Sequence, residues 1–135
     1  MFVYKKKINF FDCDPAGILF YGRVYELCHS AYEAMIESFN LREDYWTNEN
    51  YAVPIISSEA KYLKPIKNGD EIMVEIKVLR LKTSSFELLY DCKNKKGESC
   101  ASVKTVHVFI DKKNWTKTGM SNELSSRFSD HLNEK

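Results

Sequence analysis

The spacing of hydrophobic and polar positions changes once along the chain, near residue 40. Between Leu19 and Phe39 the polar residues step by three and four, so they form one narrow stripe on a helix. Almost every other position of this segment is apolar or aromatic. The pattern predicts a helix about 30 Å long at ~1.5 Å per residue, and a helix this apolar must be buried on most sides.

Extended segments are predicted on both sides of this helix. Aromatic and β-branched residues predict a first strand from Phe2 to Phe11. Four later segments alternate or are β-branched: Tyr51–Tyr62, Glu71–Leu81, Ser85–Lys93 and Ser99–Ile110. Short turn signals separate these segments, which predicts that neighbours in sequence pair antiparallel. The tail from Ser121 is predicted to be a short polar helix or a frayed end.

This order of elements predicts an α+β fold in which an antiparallel sheet curls round one central helix. Each layer has an apolar surface that the other has to cover. One sheet and one helix leave a side open, so we expect a homodimer or a homotetramer. The length of 135 residues fits one domain, 1–135, with a peripheral tail from about residue 121.

Composition and charge exclude several classes of function. The 20 basic and 19 acidic residues leave a net charge of +1, which does not favour binding to nucleic acid or to an anionic membrane. No apolar run has the length that spans a bilayer, and the N-terminus does not resemble a signal peptide. The four cysteines fit neither a zinc site nor a disulfide framework. We expect a cytoplasmic protein with reduced thiols.

The stretch FFDCDPAGILFY, residues 10–21, places two aspartates directly before the predicted helix. Pro15 pushes Asp14 towards an extended backbone, and Gly17 allows a tight turn. The backbone N–H groups of residues 19–21 would have no partner inside the helix, so with the helix dipole they can hold a partial negative charge. A carboxylate beside such donors suits acyl transfer, because the amides polarise a carbonyl that the carboxylate attacks directly or through water.

Three other interpretations of this loop compete. A calcium loop would place Asp12 at position 1 and Gly17 at position 6, but Arg23 then stands where a bidentate glutamate is required. A strand that ends in DxD also resembles the haloacid-dehalogenase phosphatases, whose doubly wound α/β fold does not fit one helix followed by strands. The two aspartates can also simply cap the helix.

FFDCDPAGILFY resembles the signature of the 4-hydroxybenzoyl-CoA thioesterase family, which has the hotdog fold. The segments LCHSAYEAMIESFNL and YAVPIISSEAKYLKPIKNGDEI are similar to those of members that hydrolyse 1,4-dihydroxy-2-naphthoyl-CoA. The resemblance covers roughly residues 3–110. It implies hydrolysis of an acyl- or aroyl-CoA thioester to the free acid and CoA, with no cofactor and no metal.

The resemblance also implies roles for individual residues. Asp14 acts as nucleophile or general base, the backbone N–H of Tyr21 polarises the thioester carbonyl, and Gly17 belongs to the same catalytic loop. The implied substrate-binding positions are Asp12, Phe20, Lys82 and Ser85. The turn that carries the last two lies near the CoA nucleotide in relatives. Gly22 and its neighbours replace an asparagine or histidine that is frequent in the family, which leaves the polarity of the acyl pocket open.

Two further functions remain on the same scaffold. A non-catalytic module could bind acyl-CoA or an acyl-carrier protein, although such a binder has no need of the Asp14 carboxylate beside a thioester. A dehydratase of this fold resembles a different signature, with a histidine in the strand-to-helix loop, and none stands between residues 1 and 28. His29 and His107 are predicted to be satisfied structural histidines, and Cys13 a packed thiol.

Overall fold

A five-stranded antiparallel sheet and one long helix form the main layers of the protein, whose computed structural model describes residues 1–132. Residues 133–135, the last of the predicted domain, lie outside the described residues. The strands are β1 (Phe2–Lys7), β2 (Tyr51–Ala52), β3 (Ile55–Tyr62), β4 (Glu71–Leu81), β5 (Ser85–Lys93), β6 (Ser99–Val108) and β7 (Ile110–Asp111). The helices are a 3₁₀ turn (Phe10–Asp12), α1 (Arg23–Ser38) and α2 (Asn122–Ser129).

The core lies between α1 and one face of the sheet. The buried residues of α1 lie on one side of the helix and span about half of its circumference, so the expectation of burial on most sides is wrong within one chain: Val24, Leu27, Cys28, Ala31, Tyr32, Met35 and Ile36. In β4 and β5 alternate residues are buried, as a sheet requires when one face packs on a helix. The predicted α+β hotdog arrangement, with the sheet around a central helix, is confirmed.

The strand order departs from the prediction at one link. The sheet runs β1-β4-β5-β6-β3, and β2 pairs with β7 in a separate ribbon. The chain from β3 to β4 therefore does not join neighbours, because β3 pairs with β6 while β4 pairs with β1. This link crosses the end of the sheet, where the N–H groups of Leu63 and Lys64 both donate to the carbonyl of Cys100. A short link between two strands predicts antiparallel pairing only when the chain reverses direction into the neighbouring strand. The link from β3 to β4 instead leads to the other side of the sheet.

The first strand ends at Lys7 and not at Phe11, since Phe10–Asp12 forms the 3₁₀ turn, and two further predicted strands are each divided. The segment Tyr51–Tyr62 is interrupted by Val53 and Pro54, since proline has no N–H for a strand ladder. The segment Ser99–Ile110 is interrupted at Phe109, where β6 ends in the main sheet and β7 begins in the ribbon.

The C-terminal helix α2 belongs to the core, so the expectation of a peripheral tail is wrong. The Ser121 side chain accepts a hydrogen bond of 3.1 Å from the N–H of Leu124 and caps the helix. Leu124 and Phe128 are buried, and the Phe128 ring stacks on Phe86 with 4.2 Å between centroids. No helix within residues 1–132 is both long enough and apolar enough to cross a membrane.

Candidate active site

Residues 13–19 form a tight turn that carries Asp14. The Asp14 N–H donates to the carbonyl of Ile18 at 2.8 Å, and the Gly17 N–H donates to the carbonyl of Asp14 at 2.9 Å. Gly17 has a φ of 80°, in the left-handed region that favours glycine. The turn is anchored to the β3–β4 link, because Ile18 pairs with Lys67.

The Asp14 carboxylate is held by this turn on one side. Its Oδ1 accepts hydrogen bonds from the N–H groups of Ala16, at 2.9 Å, and Ile18, at 3.2 Å. Its Oδ2 has no hydrogen-bond partner among residues 1–132. Two backbone donors therefore fix the orientation of the carboxylate and leave one oxygen available for chemistry.

Helix α1 begins at Arg23, four residues later than predicted. Residues 18 and 19 are extended instead, and the Leu19 N–H donates to the carbonyl of Ile66 at 2.7 Å. The Phe20 N–H donates to the carbonyl of Asp12 at 3.1 Å. The expectation of three free amides is therefore wrong for Leu19 and Phe20. Of the three, only the Tyr21 N–H has no acceptor within the part of the chain that the structure describes.

Asp12 is placed apart from Asp14. Its Oδ2 accepts a hydrogen bond of 3.2 Å from the Asn9 N–H, and its Oδ1 lies 3.7 Å from Nη1 of Arg23. It thus stabilises the 3₁₀ turn before the loop. The residue that precedes α1 is Gly22, and no side chain among residues 1–132 caps that end. The interpretation of the two aspartates as simple caps of the long helix is therefore wrong.

A cavity of about 510 Å³ opens beside Asp14, between the loop, the start of α1 and the end of β3. Its walls are mostly apolar or aromatic and include Leu19, Phe20, Tyr21, Tyr62, Leu63 and Ile66. Lys64 lies in the lining, with its Nζ 3.2 Å from Oε2 of Glu98. The loop thus combines a carboxylate, a backbone donor and an apolar wall in one concave site.

The end of β3 and the link from β3 to β4 supply Tyr62 and Ile66 to this cavity, and neither residue was predicted from the sequence to belong to the site. The signal that could have found them is the aromatic residue at the end of β3 directly before Leu63-Lys64-Pro65. A pattern of this kind marks a strand end but does not show which loop it meets.

Lys82 and Ser85 lie at the opposite end of the sheet. They bracket the turn between β4 and β5, where the Lys82 N–H donates to the carbonyl of Ser85 at 2.9 Å. The Asp14 loop packs at the other end of β4, and 11 residues of strand span about 35 Å at ~3.3 Å each. Within one chain the structure therefore does not bring Lys82 and Ser85 to the cavity.

The remaining titratable candidates have structural surroundings. Nδ1 of His29 lies 2.9 Å from Oε2 of Glu33, as expected for a satisfied histidine. Nε2 of His107 lies 2.7 Å from Oγ1 of Thr105, but its Nδ1 is buried without a partner among the described residues, so that expectation is only half right. Desolvation and the neighbouring carboxylates raise the pKa of the Cys13 thiol. No group of three or more metal-ligating side chains within residues 1–132 is arranged to hold an ion.

The fold is the hotdog fold. The family model and the relatives that match this chain identify it as a thioester hydrolase. The chain belongs to the Thioesterase-like superfamily, whose model matches residues 8–128. It is 34% identical to a 1,4-dihydroxy-2-naphthoyl-CoA hydrolase from Thermosynechococcus vestitus, over 79% of this chain and 74% of that protein. It is 30% identical to the enzyme of the same name from Nostoc punctiforme, over 91% and 83% of the two chains.

Solved structures show the same fold at lower identity. A 1,4-dihydroxy-2-naphthoyl-CoA thioesterase from Synechocystis superposes with a TM-score of 0.89 at 21% identity, over 96% of both chains. A Staphylococcus aureus protein solved in complex with CoA superposes with a TM-score of 0.89 at 11% identity, over 99% of this chain and 87% of that one.

Proposed function

We propose that this protein hydrolyses an aromatic acyl-CoA thioester, of the 1,4-dihydroxy-2-naphthoyl-CoA or 4-hydroxybenzoyl-CoA kind, to the free acid and CoA. The observation that carries the proposal is that Asp14 and Tyr21 line one apolar cavity. Within residues 1–132, one carboxylate oxygen of Asp14 and the N–H of Tyr21 have no hydrogen-bond partner. Aromatic walls suit a flat aroyl group. The hydrolase names of the relatives agree with this substrate class.

Asp14 acts on the thioester carbonyl in one of two ways. As a nucleophile its oxygen attacks the carbonyl carbon, the C–S bond breaks, CoA leaves as the thiolate, and water cleaves the mixed anhydride to restore the carboxylate. As a general base it takes a proton from the attacking water and passes it to the departing sulfur. In both routes the Tyr21 N–H stabilises the negative charge that develops on the carbonyl oxygen.

Rapid quenching during turnover distinguishes the two routes. A nucleophilic Asp14 adds the mass of the acyl group to the peptide that contains it, and mass spectrometry detects this adduct. A general base forms no such adduct.

A panel of CoA esters tests the function itself. We expect the wild-type protein to hydrolyse dihydroxynaphthoyl-, hydroxybenzoyl- or benzoyl-CoA faster than aliphatic esters. Asp14→Asn removes the charge and keeps the size, so hydrolysis should fall by at least ~10²-fold, the scale for losing a positioned acid–base group. Binding of the ester should change little, because the nucleotide is held elsewhere. A folded Asp14→Asn protein with near wild-type turnover would contradict the assignment.

The free edge of β3 supports a homodimer. β3 is the last strand of the sheet, and apolar side chains are exposed along it and just beyond it: Ile56 at 62%, Tyr62 at 52% and Leu63 at 56%. An exposed apolar edge strand invites pairing with another strand. Antiparallel pairing of β3 with β3 of a second copy would continue the sheet and cover this edge.

This pairing also gives a role to Lys82 and Ser85. A two-fold axis through β3 places the β4–β5 turn of the second copy at the sheet end that carries Asp14 of the first. The lateral distance is three to four strand spacings of ~4.8 Å, or roughly 14–19 Å, which an extended CoA can bridge. Lys82 is then a cation for the CoA phosphates in the neighbouring subunit's site.

Mixed dimers test this arrangement. If Lys82 acts across the interface, Asp14→Asn subunits mixed with Lys82→Ala subunits form dimers in which one site has both groups intact. Activity at low substrate should then exceed that of either variant alone. If Lys82 acts within its own chain, mixing restores nothing. A protein that stays monomeric in light scattering at micromolar concentration and is still active would count against the dimer.

A further inference from the structure

The Tyr62 side chain joins the sheet to the Asp14 loop. Its hydroxyl donates a hydrogen bond of 2.8 Å to the backbone carbonyl of Tyr21, which lies 41 positions earlier in the chain. Both residues line the cavity beside Asp14. A single hydrogen bond from the end of β3 therefore reaches the backbone of Tyr21, the residue whose N–H polarises the substrate carbonyl in the proposed function.

The other backbone groups around Tyr21 are also held. The Phe20 N–H donates to Asp12 at 3.1 Å, and the Phe20 carbonyl accepts from the Arg23 N–H at 2.8 Å. The Tyr21 carbonyl has one more donor, the Val24 N–H, at a long 3.4 Å. The Tyr62 bond is thus the shorter of the two that hold this carbonyl, and it is the one that comes from outside the loop and the helix.

We propose that Tyr62 is a positioning residue for thioester hydrolysis, which holds the Tyr21 backbone so that the Tyr21 N–H meets the thioester oxygen in the transition state. The proposal rests on the proposed function, in which that N–H polarises the substrate. A hydrogen-bond donor that is already oriented needs no reorganisation during the reaction, and this preorganisation is the source of its effect on the rate. Removal of the Tyr62 hydrogen bond therefore weakens the binding of the transition state more than the binding of the substrate.

The hydroxyl is suited to this role because it donates throughout the neutral pH range. Desolvation and the neighbouring phenols of Tyr25 and Tyr21 raise the pKa of Tyr62, so it keeps its proton. Its proton is donated to the Tyr21 carbonyl, and the residue also lines the cavity. Tyr62→Phe keeps the ring and removes only this hydrogen bond.

Steady-state kinetics with a matched control test the proposal. Tyr62→Phe should lower kcat by about 10-fold, the upper scale for one neutral hydrogen bond, and leave KM within about twofold. The control is Tyr25→Phe, which removes a neighbouring phenol hydroxyl that has no hydrogen bond to the loop within the described residues. Tyr25→Phe should leave both constants within about twofold of wild type.

A vibrational measurement follows the carbonyl directly. Benzoyl-CoA labelled with ¹³C at the thioester carbonyl is bound to Asp14→Asn and to the double variant Asp14→Asn, Tyr62→Phe. If Tyr62 positions the donor, the carbonyl stretch of the double variant moves towards that of the free ester. An unchanged stretch overturns the proposal even if the double variant is less stable.

The outcomes separate this proposal from the one on which it rests. A wild-type protein that hydrolyses no CoA ester overturns both. An active wild-type protein with an unchanged kcat in Tyr62→Phe overturns only the role of Tyr62, as does a raised KM at constant kcat. Light scattering on each variant shows whether the dimer is intact. If Tyr62→Phe lowers kcat only because the dimer dissociates, the positioning role of Tyr62 is also overturned.

Discussion

Buried His107 should make the protein lose stability in mild acid. The ring is 0% exposed, stacks on Phe86 with 4.5 Å between centroids, and contacts the Tyr32 ring at 4.8 Å. Burial lowers the pKa of His107 from 6.5 to about 3, and the nearby charge of His29 adds to this effect. The folded protein therefore keeps His107 neutral at pH values where the unfolded chain already binds a proton.

The sign and the size of the effect follow from this difference. Because the folded pKa is depressed, the stability from neutral His107 is complete above the unfolded value near 6.5 and is lost as the pH falls towards 3. Each pH unit within that window costs at most about 1.4 kcal/mol. Acidification from about pH 6.5 to about pH 4.5 should thus remove roughly 2–3 kcal/mol, a large share of the 5–15 kcal/mol typical of small domains.

Urea unfolding at the two pH values measures this loss, with His107→Gln as the comparison. Glutamine does not titrate and keeps an amide donor for Thr105. Burial also lowers the pKa of His131, so both proteins should share a smaller acid sensitivity. The wild type should lose roughly 2–3 kcal/mol more than His107→Gln. Equal losses in the two proteins would refute the assignment of the acid sensitivity to His107.

Three further predictions follow from the core, the loop and the sheet edge. Phe128→Ala should lower the free energy of unfolding by about 3–5 kcal/mol in urea titrations, because a fully buried ring leaves a cavity. Asp12→Asn should cost about 1 kcal/mol of stability, as for a lost cap, and much less in turnover than Asp14→Asn; a larger effect on kcat than on stability would contradict its supporting role. Ile56→Lys should shift the mass in light scattering towards a monomer, because a charge on the β3 edge opposes strand pairing, and an unchanged dimer would show that this edge is not the interface.

The sequence by itself determined those elements that depend only on residues close to one another in the chain. The bounds of β4 and β5 agree with the prediction, since period-two alternation and turn residues at both ends are local properties. The turn at Gly17 likewise follows from a residue that adopts positive φ. The central helix was predicted from the spacing of its polar residues, and the fold class of the protein was predicted from the order of the elements.

Tertiary contacts decided what the local pattern could not. α1 begins only at Arg23 because Leu19 gives its N–H to Ile66, a residue nearly fifty positions away that no local rule connects to the loop. The same link displaces β3 to the far edge of the sheet and brings Tyr62 to the backbone of Tyr21. Hydrogen-bond partners across the chain depend on the path of every connection between them. The residue types of the site were thus predictable from the sequence. Only the folded chain decides that the Tyr21 N–H has no acceptor within residues 1–132 and that Tyr62 donates to the Tyr21 carbonyl.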